Sequence, residues 1–168
     1  IDYSLIEVTN VGENSLAKIG DKIIIAKELM ADVMKEISVL SFNSSNTFNG
    51  SDFAGTILAH PLNNNGYEHE VLLLEADFVT TDQGTGFVHI APGHGADDFE
   101  LGRQNNLPIP ETVSDNGILN SDLPLLGGLR VLKDNEIIAD IMSEHNALIG
   151  RGKLNHSYPH SWRSKAPL

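Results

Sequence analysis

One stretch, Gly84-Thr85-Gly86-Phe87-Val88-His89-Ile90-Ala91-Pro92-Gly93-His94-Gly95-Ala96-Asp97-Asp98-Phe99, constrains this chain more than any other. A glycine turn feeds an apolar run of strand length, then a second glycine turn feeds a helical pattern. Such joints expose backbone: glycines let a ligand approach the main chain, and free N–H groups at a helix start hold polar or anionic groups. Asp97 and Asp98 fall in the first helical turn, where the helix dipole favours a carboxylate, and His89 ends the strand facing it. A histidine and a carboxylate at one joint can orient water and bind a cationic group, provided the fold makes them converge.

Each element also has a plain structural reading. A glycine-rich turn is often only a turn, Asp97 or Asp98 can cap the helix, and a strand histidine can be structural. His89, His94, Asp97 and Asp98 together offer nitrogen and oxygen ligands, which keeps a metal-dependent hydrolase open. Their spacing matches no standard helical zinc pattern, and the reading preferred here holds no metal.

Elsewhere the pattern predicts a mixed, strand-rich domain with peripheral helices. Tyr3 to Val8 and Lys22 to Ala26 are short β-branched runs separated by the turn-rich segment Asn10 to Asn14, as in a hairpin-like pair. Lys27 to Ile37 sets Leu29, Met30, Val33, Met34 and Ile37 at helical spacing, giving one apolar face to cover the strands. From Ser38 to Leu62 the Ser, Asn and Gly content fits irregular strands and loops. Val71 to Ala76 and Gly86 to Ala91 read as strands; Ala96 to Gln104 and Asn135 to Ala147 read as helices.

Composition removes several function classes. The chain has no cysteine, so disulfides and thiolate chemistry are excluded. No apolar run reaches the roughly 18 residues of a membrane span and no secretion signal is present, so a soluble cytoplasmic protein without a membrane partner is expected. Ile1 stands where an initiator methionine would be, as in a piece of a longer protein. The net charge of -12 argues against non-specific nucleic-acid binding. That charge is uneven: Lys and Arg are absent from Glu36 through Gly102, whereas Arg151, Lys153, Arg163 and Lys165 follow the last acid, Glu144. Nucleic-acid contact is therefore expected to favour the C-terminal stretch.

The Gly84 to Phe99 run resembles the signature of the editing domain inserted in isoleucyl-tRNA synthetases, class I enzymes in which Gly-Thr-Gly, Val-His, Ala-Pro-Gly-His-Gly and a paired Asp follow in that order. Valyl and leucyl relatives typically carry Lys or Met at the His89 position and Pro-Ala-His-Asp in place of Pro-Gly-His-Gly. A second similarity is His156-Ser157-Tyr158-Pro159-His160-Ser161-Trp162-Arg163-Ser164-Lys165-Ala166-Pro167-Leu168, which looks like the segment returning toward the synthetic core. The resemblance implies an editing domain over residues 1–155, with a barrel-like fold, and a return segment over residues 156–168.

The resemblance further implies an aminoacyl-tRNA ester hydrolase that clears Val-tRNA(Ile). Asp98 would pair with the substrate α-ammonium, and His89 would line the pocket near the aminoacyl group and terminal ribose. Thr85, Gly86, Pro92, Gly93, His94 and Gly95 would shape that pocket through backbone contacts. The implied partners are the tRNA(Ile) 3′ end carrying a mischarged amino acid and the rest of the synthetase chain. No cofactor is expected in this piece, ATP and Mg belonging to the synthetic core. One departure stands out: the family's threonine-rich strand ending in Thr-Pro-Trp-Thr has no match here, and Thr80-Thr81 is a poor substitute. The domain is thus read as N-terminally truncated, which leaves open a non-catalytic module that binds an aminoacyl or nucleotide end.

Overall fold

Apolar and polar residues alternate at the start of the chain, and that alternation builds the main sheet. Strand β1 (Asp2–Val11) buries Ile6 and Val8 and exposes Glu7 and Thr9, the two-residue period of a half-buried strand. It pairs antiparallel with β2 (Lys22–Ala26) on one side and β3 (Val39–Asn49) on the other, in the order β2-β1-β3. Tyr3 lies opposite Ala26, and Leu5 opposite Ile24. The β1–β3 register slips between Ser4 and Leu5, where Asn46 is left unpaired at φ 54° as a bulge that asparagine tolerates. The computed structural model describes residues 1–153, 160–163 and 165.

A 3-10 turn (Lys27–Leu29) leads from β2 into helix α1 (Met30–Glu36). Met34 from that helix joins Ile6, Val8, Ala17, Ile25, Ile37 and Val39 in the main core. Complete burial of one large aliphatic side chain contributes about 1.5–3 kcal/mol, so this cluster is what fastens helix to sheet. A second, smaller cluster of Tyr3, Ala26 and Leu29, edged by Val33, Phe48 and Phe53, sits where β1 begins and β2 ends.

Strands β4 (Ile57–Ala59) and β5 (Glu70–Leu72) form a separate antiparallel pair. The intervening loop buries Leu62, and Tyr67 Oη donates to the Pro124 carbonyl at 2.8 Å. Helices α2 (Ala96–Gln104) and α3 (Asn135–Glu144) follow later in the chain. Arg151 holds Asp140 of α3 at 2.8 Å, an exposed ion pair of small energetic weight. Among the described residues no helix is long and apolar enough to cross a membrane.

The expected β1–β2 hairpin, the helix after it and α2 all form. Several other expectations need correction. The strand read over Gly86 to Ala91 does not form, because a strand requires a partner and no described residue pairs with that run. The strand read over Val71 to Ala76 contracts to Glu70–Leu72, its pairing continuing one residue further through Leu73, which donates to Thr56 O at 2.9 Å and accepts from Gly55 N at 3.0 Å. The helix read through Ala147 stops at Glu144, where Asn146 turns to φ 55° and the Ala147 amide bonds back to Met142 O. The fold is mixed α and β with few helices; its three-stranded and two-stranded sheets are open and do not close into a barrel among the described residues. Most of the 156–168 segment lies outside the described residues.

Candidate functional site

The motif is built as two mounted turns with an extended stretch between them. At the first turn, Ala26 N donates to the Thr85 carbonyl at 2.9 Å and Tyr3 Oη donates to the Gly86 carbonyl at 2.6 Å. Gly86 has φ +85°, and a Cβ placed there would sit 2.5 Å from the Ala26 Cβ, so only glycine satisfies both backbone and space. Phe87 then packs on Tyr3, with ring centroids 4.7 Å apart. The residues of the second core cluster thus carry the first turn.

At the second turn, the His94 amide donates to Ala91 O at 2.8 Å, and Pro92 packs against Gly102 of α2. A Cβ at Gly102 would meet the Pro92 ring at 2.7 Å, so the turn closes on the helix only because that position lacks a side chain. Gly95 caps α2 with φ -147° and no side-chain cap bond. Asp98, half-buried in the first turn of α2, folds back over Gly95 and accepts from the Ala91 amide at 2.8 Å through Oδ2. The helix N-terminus favours its charge.

His89 is exposed on the stretch between the two turns. The structure does not link it to Asp98 by a hydrogen bond or ion pair; Asp98 is turned to Ala91, while His89 lies within electrostatic reach of His60. Gly93 and His94 are exposed, and Thr85 is exposed above the buried Gly86. Among the described residues no group of three or more His, Cys, Asp or Glu is arranged to hold a metal ion. Two surface cavities of about 530 and 400 Å³ lie beside α1, lined by residues such as Met34, Leu40, Ile37 and Arg151, and neither includes a motif residue.

A neighbouring group escaped the sequence reading. The His60 ring stacks on Tyr67 with centroids 4.8 Å apart and 16° between planes, and His69 is 5.0 Å away. Leu62 N donates to His60 Nδ1 at 3.0 Å, which fixes the neutral imidazole with its proton on Nε2. Burial first, then the neighbouring His69 and His89, hold His60 below the ordinary histidine range. Two histidines and a tyrosine crowded between β4 and β5 were the available signal, but nothing local in that stretch ties it to His89.

Sequence comparison adds what geometry alone does not. The family profile described as "Leucyl-tRNA synthetase, editing domain" matches residues 18–124, well over half of the chain and including the whole motif. The chain belongs to that editing-domain family. Proteins named isoleucine–tRNA ligase are similar to this editing domain over its full length: 42% identical in Pelagibacter ubique, 40% in Gluconobacter oxydans and 39% in Rhodopseudomonas palustris. The editing domain spans only 18%, 19% and 18% of those proteins respectively. An isoleucyl-type editing domain, expected from the two motifs, is therefore what the comparisons show.

Proposed function

We propose that the chain hydrolyses the ester bond of valine wrongly attached to isoleucine tRNA. The observation that carries this reading is the editing-domain match, whose residues 18–124 span both mounted turns and include positions 89 and 98. A synthetic pocket that admits isoleucine rejects valine by one methylene, about 1–3 kcal/mol, a limit for which isoleucyl enzymes are themselves the standard illustration. A second pocket too small for isoleucine multiplies that discrimination by hydrolysing what the first lets through.

In this reading Asp98 keeps one carboxylate oxygen on the Ala91 amide and offers the other to the substrate α-ammonium. Water attacks the ester carbonyl, the bond to the terminal ribose breaks, and the proton released by water leaves the ribose hydroxyl restored. His89 and a ribose hydroxyl orient that water, and Thr85, Gly86, Pro92, Gly93, His94 and Gly95 shape the pocket by backbone contact. The editing domain would occupy residues 1–155, become barrel-like with the strands of a full synthetase, and continue through residues 156–168 to the synthetic core. Its partners are the tRNA(Ile) 3′ end and the rest of the synthetase, in the cytoplasm, with ATP and Mg confined to that core.

Exposure of His89 and the absence of a hydrogen bond between it and Asp98 favour, as a second reading, a module that binds an aminoacyl end without cleaving it. The two separate in a deacylation assay on Val-tRNA(Ile) and Ile-tRNA(Ile), using the chain alone and within a full-length isoleucine–tRNA ligase. The hydrolase clears Val-tRNA(Ile) selectively in at least one context, and chelators do not slow it. Binding without turnover in both contexts establishes the module instead.

A further inference from the structure

We infer that Tyr3 and Ala26 are positioning residues of the editing site, together setting where the Gly84–Gly86 turn presents itself to the aminoacyl end. The inference rests on the editing reading above. Tyr3 and Ala26 are direct cross-strand partners in β1 and β2, so a single rung of the sheet supplies both contacts. That rung donates to two consecutive carbonyls: Ala26 N to Thr85 O at 2.9 Å and Tyr3 Oη to Gly86 O at 2.6 Å. Two adjacent peptide units held from one rigid strand pair leave the turn little freedom to rotate or translate.

Shape reinforces the hydrogen bonds. The Ala26 side chain is fully buried and lies under Gly86, so its size limits how closely the turn can approach the sheet. The Tyr3 ring is held on two sides, edge-on by Phe53 at 5.5 Å and tilted against Phe87 at 4.7 Å. Tyr3 is only 5% exposed, and burial raises its phenol above the ordinary tyrosine range, so the hydroxyl remains a donor throughout neutral pH. A phenylalanine would satisfy this apolar cluster equally well, and among the described residues the hydroxyl bonds only to the motif. Both residues act through Thr85 and Gly86, whose carbonyls they bond.

The test compares the wild-type chain with Tyr3→Phe, Ala26→Val and Ile6→Val, the last a core change remote from the turn. Amide NMR shifts and hydrogen exchange report on Ala26 and Thr85 to Phe87, and deacylation of Val-tRNA(Ile) is followed in the full-length ligase carrying each change. Tyr3→Phe and Ala26→Val are expected to shift the Thr85 to Phe87 signals and lower kcat tenfold or more with KM changed less than threefold, while Ile6→Val leaves both unaltered. Ala26→Val covers the case in which Tyr3→Phe does not fold. Unchanged Thr85 to Phe87 signals in the folded variants overturn the anchoring, and shifted signals with wild-type kcat overturn its role in the site. If the wild-type ligase shows no deacylation, the editing reading fails, and the NMR arm still decides whether the rung holds the turn.

Discussion

Asp98 accepts a hydrogen bond from the amide of Ala91 at 2.8 Å, so one carboxylate links the first turn of α2 to the start of the turn that precedes it. The contact gives this side chain a structural role beside the proposed anchoring one, and the two roles respond differently to substitution. A neutral amide can still accept from Ala91 but cannot pair with an ammonium.

Asp98→Asn should therefore lose less stability than Asp98→Ala, giving up only what the helix N-terminus lends the charge, yet abolish deacylation. Asp98→Ala should lose about 1 kcal/mol, or roughly 2–4 °C, together with activity. Thermal unfolding and the deacylation assay measured on the same samples decide it. An active Asn variant removes the charge from the mechanism.

Gly86 and Gly84 both have positive φ, at +85° and +77°, but only Gly86 meets another residue. Gly84→Ala should cost about 1–2 kcal/mol from backbone strain alone. Gly86→Ala adds the clash with Ala26 and should cost roughly 2–4 kcal/mol in all. Equal losses in urea unfolding would show that the turn does not press on the sheet.

His60 titrates below the ordinary histidine range in the folded protein, so between the two values the unfolded chain binds the proton more readily. Its contribution to stability is complete above about pH 6.5 and is lost as pH falls through that value toward the lower folded one. Protonating Nδ1 also ends the bond from Leu62 N. Urea midpoints should fall between pH 7.5 and 5.5, and His60→Gln should flatten that slope. A slope unaltered by the substitution assigns the effect elsewhere.

Met34 is 1% exposed in the main core, whereas Leu40 is 66% exposed on β3. Met34→Ala should cost about 2–5 kcal/mol, and Leu40→Ala no more than about 0.5 kcal/mol. Comparable losses at the two positions would contradict the placement of α1 on the sheet.

How far the fold was legible depended on how local its signals were. The β1–β2 hairpin and α1 were readable because β-branched runs, a polar turn and helical spacing each lie within a dozen or so residues. Strand β3 was legible only as irregular strand and loop, since Ser44, Ser45, Asn46 and Thr47 have no marked strand pattern and are extended by pairing with β1. Phe87 to Ile90 failed in the opposite direction: an apolar run suited to a strand found no partner among the described residues.

The order of residues from Gly84 to Phe99 was enough to point to the family and to nominate Asp98 and His89, because glycine turns and acidic helix starts carry their chemistry in adjacent positions. It could not reveal that Tyr3, 83 residues away from Gly86, holds the first turn, or that Asp98 turns to the Ala91 amide while His89 lies within electrostatic reach of His60. Those relationships follow from strand register and loop packing, in which the energy of a contact depends on which distant residues share the same rung or cluster. Such pairings are decided only when the whole chain has folded.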